Sequence, residues 1–177
     1  MSTAVLNVAL LGTGLYAQSD YIPAFLSSGT QNVRVHTIWS LDAAAAKECA
    51  SQLSKDGDKP MVLTEKDDLE SIIQDQSIDA IVMVLPFMYQ PDLIRKAWKA
   101  GKHVLSEKPI ERDVEAAMAL VREFEDNWAS TGLVWRVAEG TCRCRWTLGG
   151  LELLRPCRSS LLARRRAIYV PGADFPY

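Results

Sequence analysis

The chain has 177 residues, 48% of them hydrophobic and 24% charged, which is the balance of a soluble globular protein. Its length suggests one domain, or one domain with a fragment of another. No apolar run approaches the roughly 18 residues that a membrane-spanning helix needs. The apolar stretch near the N-terminus lacks a basic leader and a small-residue cleavage site, so we interpret it as a strand and expect a cytoplasmic location.

The formal net charge of −2 conceals a change in composition near residue 140. Residues 140–177 hold seven arginines, no lysine, two acidic residues and three of the four cysteines. We therefore expect residues 1–139 to form one domain and residues 140–177 to be an atypical tail rather than an independent domain. The cysteines of the tail are Cys142, Cys144 and Cys157.

The tail carries no recognisable binding motif. Its cysteines lack the CxxC pairs and the spaced histidines of structural zinc sites, so we expect no metal. The arginine triplet Arg164–Arg166 has no interleaved aromatic residues and predicts binding neither to nucleic acid nor to a membrane.

Residues 1–139 alternate between the patterns of strands and helices. Short apolar runs bounded by turn residues predict six strands, and apolar side chains spaced three and four residues apart predict five helices between them. This alternation is typical of right-handed βαβ units, and so predicts an α/β protein with a doubly wound, parallel-sheet Rossmann fold. The predicted strands are Val5–Leu11, Val33–Trp39, Met61–Leu63, Ala80–Leu85, His103–Ser106 and Leu133–Ala138.

The first predicted strand ends in a glycine-rich turn of the form GxGxxA. Gly12 permits the tight turn, and Gly14 lets the backbone approach a pyrophosphate without an intervening Cβ. Ala17 allows the following helix to pack closely on the strand. Because a strand and a helix flank this turn, it predicts a dinucleotide-binding site, with Thr13 and Leu15 as further contacts.

In a Rossmann protein, a residue at the end of the second strand binds the adenosine ribose and distinguishes NAD from NADP. An acidic residue there accepts the 2′-hydroxyl of NAD, but this chain has Ser40, and Asp42 is expected to cap the next helix instead. An uncharged residue does not repel the 2′-phosphate of NADP, although no adjacent Arg or Lys attracts it. The cofactor is therefore predicted to be NAD or NADP, with NADP slightly favoured.

A second motif, GKHVLSEKP, closes the fifth strand at the carboxyl edge of the sheet, where ligands of open α/β sheets bind. Lys108 can donate a hydrogen bond to a substrate hydroxyl or polarise it, and ionised Glu107 can accept ribose hydroxyls. On spacing alone, a solvated Glu–Lys pair before a helix-starting proline is the better interpretation.

Together these motifs resemble the glucose–fructose oxidoreductase / inositol dehydrogenase (Gfo/Idh/MocA) family over nearly all of residues 5–139. The resemblance includes the turn of Leu85 and Pro86 after the fourth strand. It implies that this loop lies near the nicotinamide, and that Gln90, four residues after the proline, contacts the cofactor there.

The same resemblance assigns roles to the second motif. It implies that Glu107 contacts the nicotinamide ribose and that Lys108 is a catalytic residue beside the substrate and the nicotinamide. The implied reaction is hydride transfer between the nicotinamide and a hydroxyl-bearing carbon of a sugar, inositol or related polyol.

Family members place an Asp/His acid–base pair in a second α/β domain, and this sequence departs from the family pattern at Gly140. We therefore expect that second domain to be missing, with the chain truncated or its reading frame altered after about residue 139. The alternative to an oxidoreductase domain is a nucleotide-binding protein without turnover. The sequence leaves the substrate and the oligomeric state open.

Overall fold

A computed structural model describes residues 5–27, 32–54, 59–66 and 68–138, and the backbone of residues 147–148 and 151–152. Its six main strands are β1 (Leu6–Leu11), β2 (Val33–Trp39), β3 (Met61–Leu63), β4 (Ala80–Met83), β5 (His103–Glu107) and β6 (Trp135–Ala138). They form one sheet in the order β3-β2-β1-β4-β5-β6, and every neighbouring pair is parallel. The predicted doubly wound α/β fold is confirmed.

Within the described ranges, five α-helices connect the strands: α1 (Ile22–Leu26), α2 (Ala43–Leu53), α3 (Asp68–Gln74), α4 (Gln90–Lys99) and α5 (Val114–Asn127). The carboxylate of Asp42 accepts hydrogen bonds from the backbone N–H groups of Ala44 and Ala45, both at 3.0 Å. Asp42 is thus the N-cap of α2, as predicted, because a side-chain acceptor satisfies amide donors that the helix leaves unpaired. Asp113 caps α5 in the same way.

A π-helical turn, Ala17–Tyr21, precedes α1. The N–H of Ile22 donates to the carbonyl of Ala17, five residues back rather than four. Such a turn contains one extra residue, so it rotates the following side chains by about 100° around the helix axis. Pro23 then lies in the first turn of α1.

Both faces of the sheet are buried, which explains the continuous apolar runs. Along β1, Val8 and Leu10 pack into one hydrophobic cluster, whereas Ala9 and Leu11 pack into the other. Side chains of α1 and α2 complete the first cluster, and those of α3, α4 and α5 complete the second. Each fully buried leucine contributes about 1.5–3 kcal/mol relative to an exposed one.

Three strands are shorter than predicted, and β1 differs only by the loss of Val5. The β4 ladder ends at Met83, which pairs with Leu11 and Ser106, and β6 begins only at Trp135. The apolar residues beyond these limits, Leu85 and Leu133, pack against the core from loops. Apolar character therefore reports burial here, whereas hydrogen-bond register sets the strand ends.

Beyond β6, Thr147–Leu148 (β7) pairs antiparallel with Leu151–Glu152 (β8). The other predicted features of the tail, including its three cysteines and its arginine triplet, lie outside the described residues. In the part of the chain that the structure describes, no helix combines the length and apolar character needed to cross a membrane.

His103 opens β5, at the opposite end of the strand from Glu107. Its Nδ1 atom accepts a hydrogen bond of 3.0 Å from the backbone N–H of Val134. Only a neutral imidazole can accept this bond, because both ring nitrogens of the charged form are donors. Burial lowers the pKa of His103, although the carboxylate of Asp79 opposes the shift.

This bond predicts a pH dependence of folding stability. Because the pKa of His103 is lower in the folded state, its contribution is fully present above the unfolded pKa of about 6.5 and is lost as the pH falls through the folded value. His103→Phe removes the titrating ring and the acceptor for Val134. We expect it to cost about 1 kcal/mol at neutral pH and to flatten the dependence. Urea unfolding between about pH 5 and 7.5 measures both, and an undiminished slope would contradict this role.

Candidate cofactor-binding site

The glycine turn begins at the centre of the sheet, between the ends of β2 and β4. Gly12 has a φ of +99°, a conformation that side chains disfavour. A Cβ at Gly12 would lie 2.2 Å from the carbonyl oxygen of Val84, and the N–H of Gly12 donates to the carbonyl of Trp39 at 2.8 Å. The backbone on both sides therefore requires glycine at this position.

Gly14 has a different environment from Gly12. It is exposed, and an added Cβ would meet no atom within 4 Å. Leu15 beside it is 87% exposed, whereas Ala17 is fully buried against the sheet. The glycine turn therefore presents an open stretch of backbone, which is the surface that a pyrophosphate needs for a close approach.

Buried hydroxyl groups link the ends of β1 and β2. The hydroxyl of Thr13 donates to Oγ of Ser40 at 2.8 Å, and both side chains are buried. Oγ of Ser40 also accepts from the N–H of Asp42 at 3.2 Å. Oδ1 of Asp42 accepts both bonds at the start of α2, so this carboxylate caps the helix, and the residue in the expected ribose position, Ser40, is uncharged.

Gln90 joins the loops that follow β4 and β5. Its side chain is fully buried, and its Oε1 accepts from the backbone N–H of Glu107 at 2.9 Å. Its Nε2 donates to the carbonyl of Leu85 at 3.0 Å. The amide therefore fixes the two loops relative to each other, while Pro86 next to Leu85 is exposed. A direct contact of Gln90 with the cofactor stays a prediction.

Glu107 is a buried carboxylate at the last position of β5. One of its oxygens accepts from the phenol of Tyr21 at 2.5 Å, and the other accepts from the backbone N–H of Lys108 at 3.1 Å. Burial raises the pKa of Glu107, and the two hydrogen bonds and the charge of Lys108 act in the opposite direction. The structure therefore holds this carboxylate in a fixed orientation at the edge of the sheet.

Lys108 follows immediately and is exposed at the same edge. The loops after β1, β2 and β4 also leave large apolar side chains exposed, an arrangement typical of a binding surface. These side chains are Leu15, Tyr16, Leu41, Met88 and Tyr89. The carboxyl edge thus combines open glycine backbone, an oriented carboxylate and an exposed ammonium group. It also carries exposed apolar side chains, which can pack against planar rings.

These features lie where the strand order reverses, between β1 and β4, which is where doubly wound sheets bind nucleotides. The sequence of residues 6–130 matches the model of the GFO_IDH_MocA family, which is described as an oxidoreductase family with an NAD-binding Rossmann fold. The chain belongs to this family. The matched residues are the NAD(P)-binding domain of a Gfo/Idh/MocA oxidoreductase.

A curated relative agrees with this membership, and solved structures agree with the fold. The dehydrogenase FPY6 of Fusarium mangiferae is 36% identical over 137 residues, which make up 76% of this chain and 38% of the relative. KijD10, a 3-ketoreductase from Actinomadura kijaniata solved with NADP and TDP-benzene, has a TM-score of 0.60 at 23% identity, covering 76% of this chain and 37% of that protein.

A scyllo-inositol dehydrogenase from Lactobacillus casei, solved with NAD(H) and scyllo-inositol, has a TM-score of 0.59 at 24% identity. The match covers 76% of this chain and 36% of that enzyme. At these identities the structural likeness shows the fold. The Gfo/Idh/MocA chain described here spans less than half the length of each of these three proteins.

Sequence reasoning missed two residues of this Gfo/Idh/MocA site. Gln18 donates from Nε2 to the carbonyl of Thr13 at 2.8 Å and so braces the glycine turn. Tyr21 reaches Glu107 from 86 residues away in sequence. The sequence carries no signal for the Tyr21 contact, because the π-helical turn that sets its direction has no recognised sequence pattern.

Proposed function

We propose that this chain binds NADP or NAD along the carboxyl edge of its sheet, with the pyrophosphate at the turn that contains Gly12, Thr13 and Gly14. The observation that carries the proposal is the contrast between the two glycines. Gly12 is fixed by its neighbours, whereas a Cβ at Gly14 would have no atom of the described residues within 4 Å. The open approach to Gly14 is explained by a ligand that must lie directly on the backbone.

At the other end of the cofactor, Glu107 accepts hydroxyls of the nicotinamide ribose and Gln90 holds the two loops that flank the ring. The bound cofactor supplies a hydride carrier, which the side chains of the protein do not provide. Lys108 lies exposed beside Glu107 and donates a hydrogen bond to a hydroxyl or carbonyl oxygen of the substrate.

For the whole protein we propose oxidation of a hydroxyl, or reduction of the matching ketone, on a sugar, inositol or related polyol. Family membership and the names of the structural neighbours, a 3-ketoreductase and an inositol dehydrogenase, support this substrate class. NADP is slightly favoured over NAD, since the residue at the expected ribose position, Ser40, is uncharged and does not repel a 2′-phosphate.

Gly14→Val tests the pyrophosphate site. The variant places a branched side chain on the backbone surface that the phosphates must approach, so we expect cofactor binding to be abolished. The stability of the fold should stay close to that of the parent, because the added Cβ meets open space. Isothermal titration calorimetry with NADPH and NADH measures the binding, and urea unfolding measures the stability.

Gly12→Ala is the matched contrast. Its Cβ would collide with the Val84 carbonyl and would force a residue with a side chain to a positive φ, so the variant should lose more than about 2 kcal/mol of stability. If Gly14→Val binds either cofactor as tightly as the parent does, the pyrophosphate site is wrong.

Ser40→Asp tests whether residue 40 binds the adenosine ribose and selects between NAD and NADP. The new carboxylate accepts the 2′-hydroxyl of NAD and repels the 2′-phosphate of NADP, so the ratio of the two dissociation constants should move towards NAD by about tenfold or more, or roughly 1.4 kcal/mol. Ser40→Ala, which adds no charge, should leave the ratio near that of the parent. An unchanged ratio in Ser40→Asp would place the selection at another residue.

A further inference from the structure

A hydrogen bond between Tyr21 and Glu107 links the π-helical turn that follows the glycine turn to the second motif. The phenol of Tyr21 donates to Oε1 of Glu107 at 2.5 Å, and the carboxylate is 7% exposed. In the sheet, β4 lies between β1 and β5, so this bond spans the end of the central strand. It therefore joins the segment after the proposed pyrophosphate turn to the motif proposed to hold the nicotinamide ribose.

The direction of the Tyr21 side chain follows from the π-helical turn. Tyr21 is the last residue of that turn, and the buried residues on either side of it, Ala17 and Ile22, anchor the turn on the core. The ring of Tyr16 packs edge-on against that of Tyr21, with 5.8 Å between their centroids. The phenol is thus held by packing on both sides before any ligand binds.

We propose that Tyr21 is a positioning residue that orients the carboxylate of Glu107 to receive the hydroxyls of the nicotinamide ribose. This inference rests on the proposed function of Glu107. Tyr21 acts through Glu107 and needs no contact with the cofactor of its own.

The hydrogen-bond geometry leaves room for this role. Tyr21 occupies one acceptor position on Oε1 of Glu107, and the N–H of Lys108 occupies one on Oε2. Each carboxylate oxygen can accept a second bond, so both remain able to bind a hydroxyl. With one donor fixed at each oxygen, the carboxylate plane cannot rotate freely, and the vicinal hydroxyls of a ribose meet a preorganised acceptor pair.

Four titratable side chains interact with the Glu107 carboxylate: Tyr21, Lys108, Asp20 and Tyr16. Tyr21 and Lys108 lower the pKa of Glu107, whereas burial, which has the largest effect, and the carboxylate of Asp20 raise it. Tyr16 is close enough for the charge of Glu107 to raise its own pKa. Loss of the Tyr21 hydroxyl therefore raises the pKa of Glu107 further and favours its protonated form, which has fewer acceptor positions for a ribose.

The test compares Tyr21→Phe with Tyr16→Phe in the full 177-residue chain. Both changes remove one phenolic hydroxyl and keep the ring, but only Tyr21 bonds to Glu107. The dissociation constants of NADPH and NADH are measured from about pH 5 to pH 8. We expect Tyr21→Phe to bind about tenfold more weakly at neutral pH and to lose affinity at a higher pH than the parent. Tyr16→Phe leaves the bond to Glu107 in place, so it should keep the parental pH dependence of affinity.

A double-mutant cycle with Glu107→Gln separates positioning from packing. If Tyr21 acts through the carboxylate, Tyr21→Phe has little further effect in the Glu107→Gln background, and the affinity there is flat with pH. An equal loss in both backgrounds, or a parental pH profile in Tyr21→Phe, would overturn the proposal. Loss of the fold in Tyr21→Phe, seen by circular dichroism, would also overturn it, because the bond would then be structural.

Cofactor binding by the unmodified chain is measured before any variant, because it tests the proposed function itself. A parent that binds neither NADPH nor NADH contradicts the proposed function, and the role of Tyr21 falls with it. A parent that binds, together with a Tyr21→Phe variant that binds equally well at every pH, contradicts the role of Tyr21 alone.

Discussion

Gly12 lies where the ends of β1, β2 and β4 meet, and a Cβ there would come within 2.2 Å of the carbonyl oxygen of Val84. The absence of a side chain lets three strand ends close together, with backbone bonds from Gly12 to Trp39 and from Val84 to Leu11. The close approach of Gly12 to the backbone of Val84 fixes the position at which the chain leaves the sheet. The turn, the start of the first helix and the open backbone at Gly14 all take their positions from it.

Around that contact, buried polar bonds join the loops of the carboxyl edge into one unit. Thr13 and Ser40 connect the ends of β1 and β2, Gln90 connects the loops after β4 and β5, and Tyr21 connects the first helix to Glu107. Buried polar groups are costly unless they are paired, so each bond also stabilises the fold. The exposed groups that remain at this edge, including Lys108, are those free to meet a ligand.

Much of this arrangement could be predicted from the sequence, because its causes are local. The apolar run of β1 reflects burial on both faces, and Asp42 caps α2 because a short acceptor side chain stands before an apolar helix. The contact of Tyr21 with Glu107 could not be predicted, since it depends on tertiary distance and on a π-helical turn. The inward direction of the Gln90 amide likewise depends on how two loops meet.

Every role proposed for these residues requires the carboxyl edge at the β1–β4 junction to be the dinucleotide site. Titration of the ¹⁵N-labelled chain with NADPH and NADH, followed by two-dimensional ¹H–¹⁵N NMR, tests it residue by residue. If this edge holds the dinucleotide, the amide signals of Gly14, Leu15 and Lys108 shift on binding, while those of Asn7 and Asp79, at the opposite edge, do not. Shifts confined to the opposite edge, or no shifts at millimolar cofactor, would contradict it.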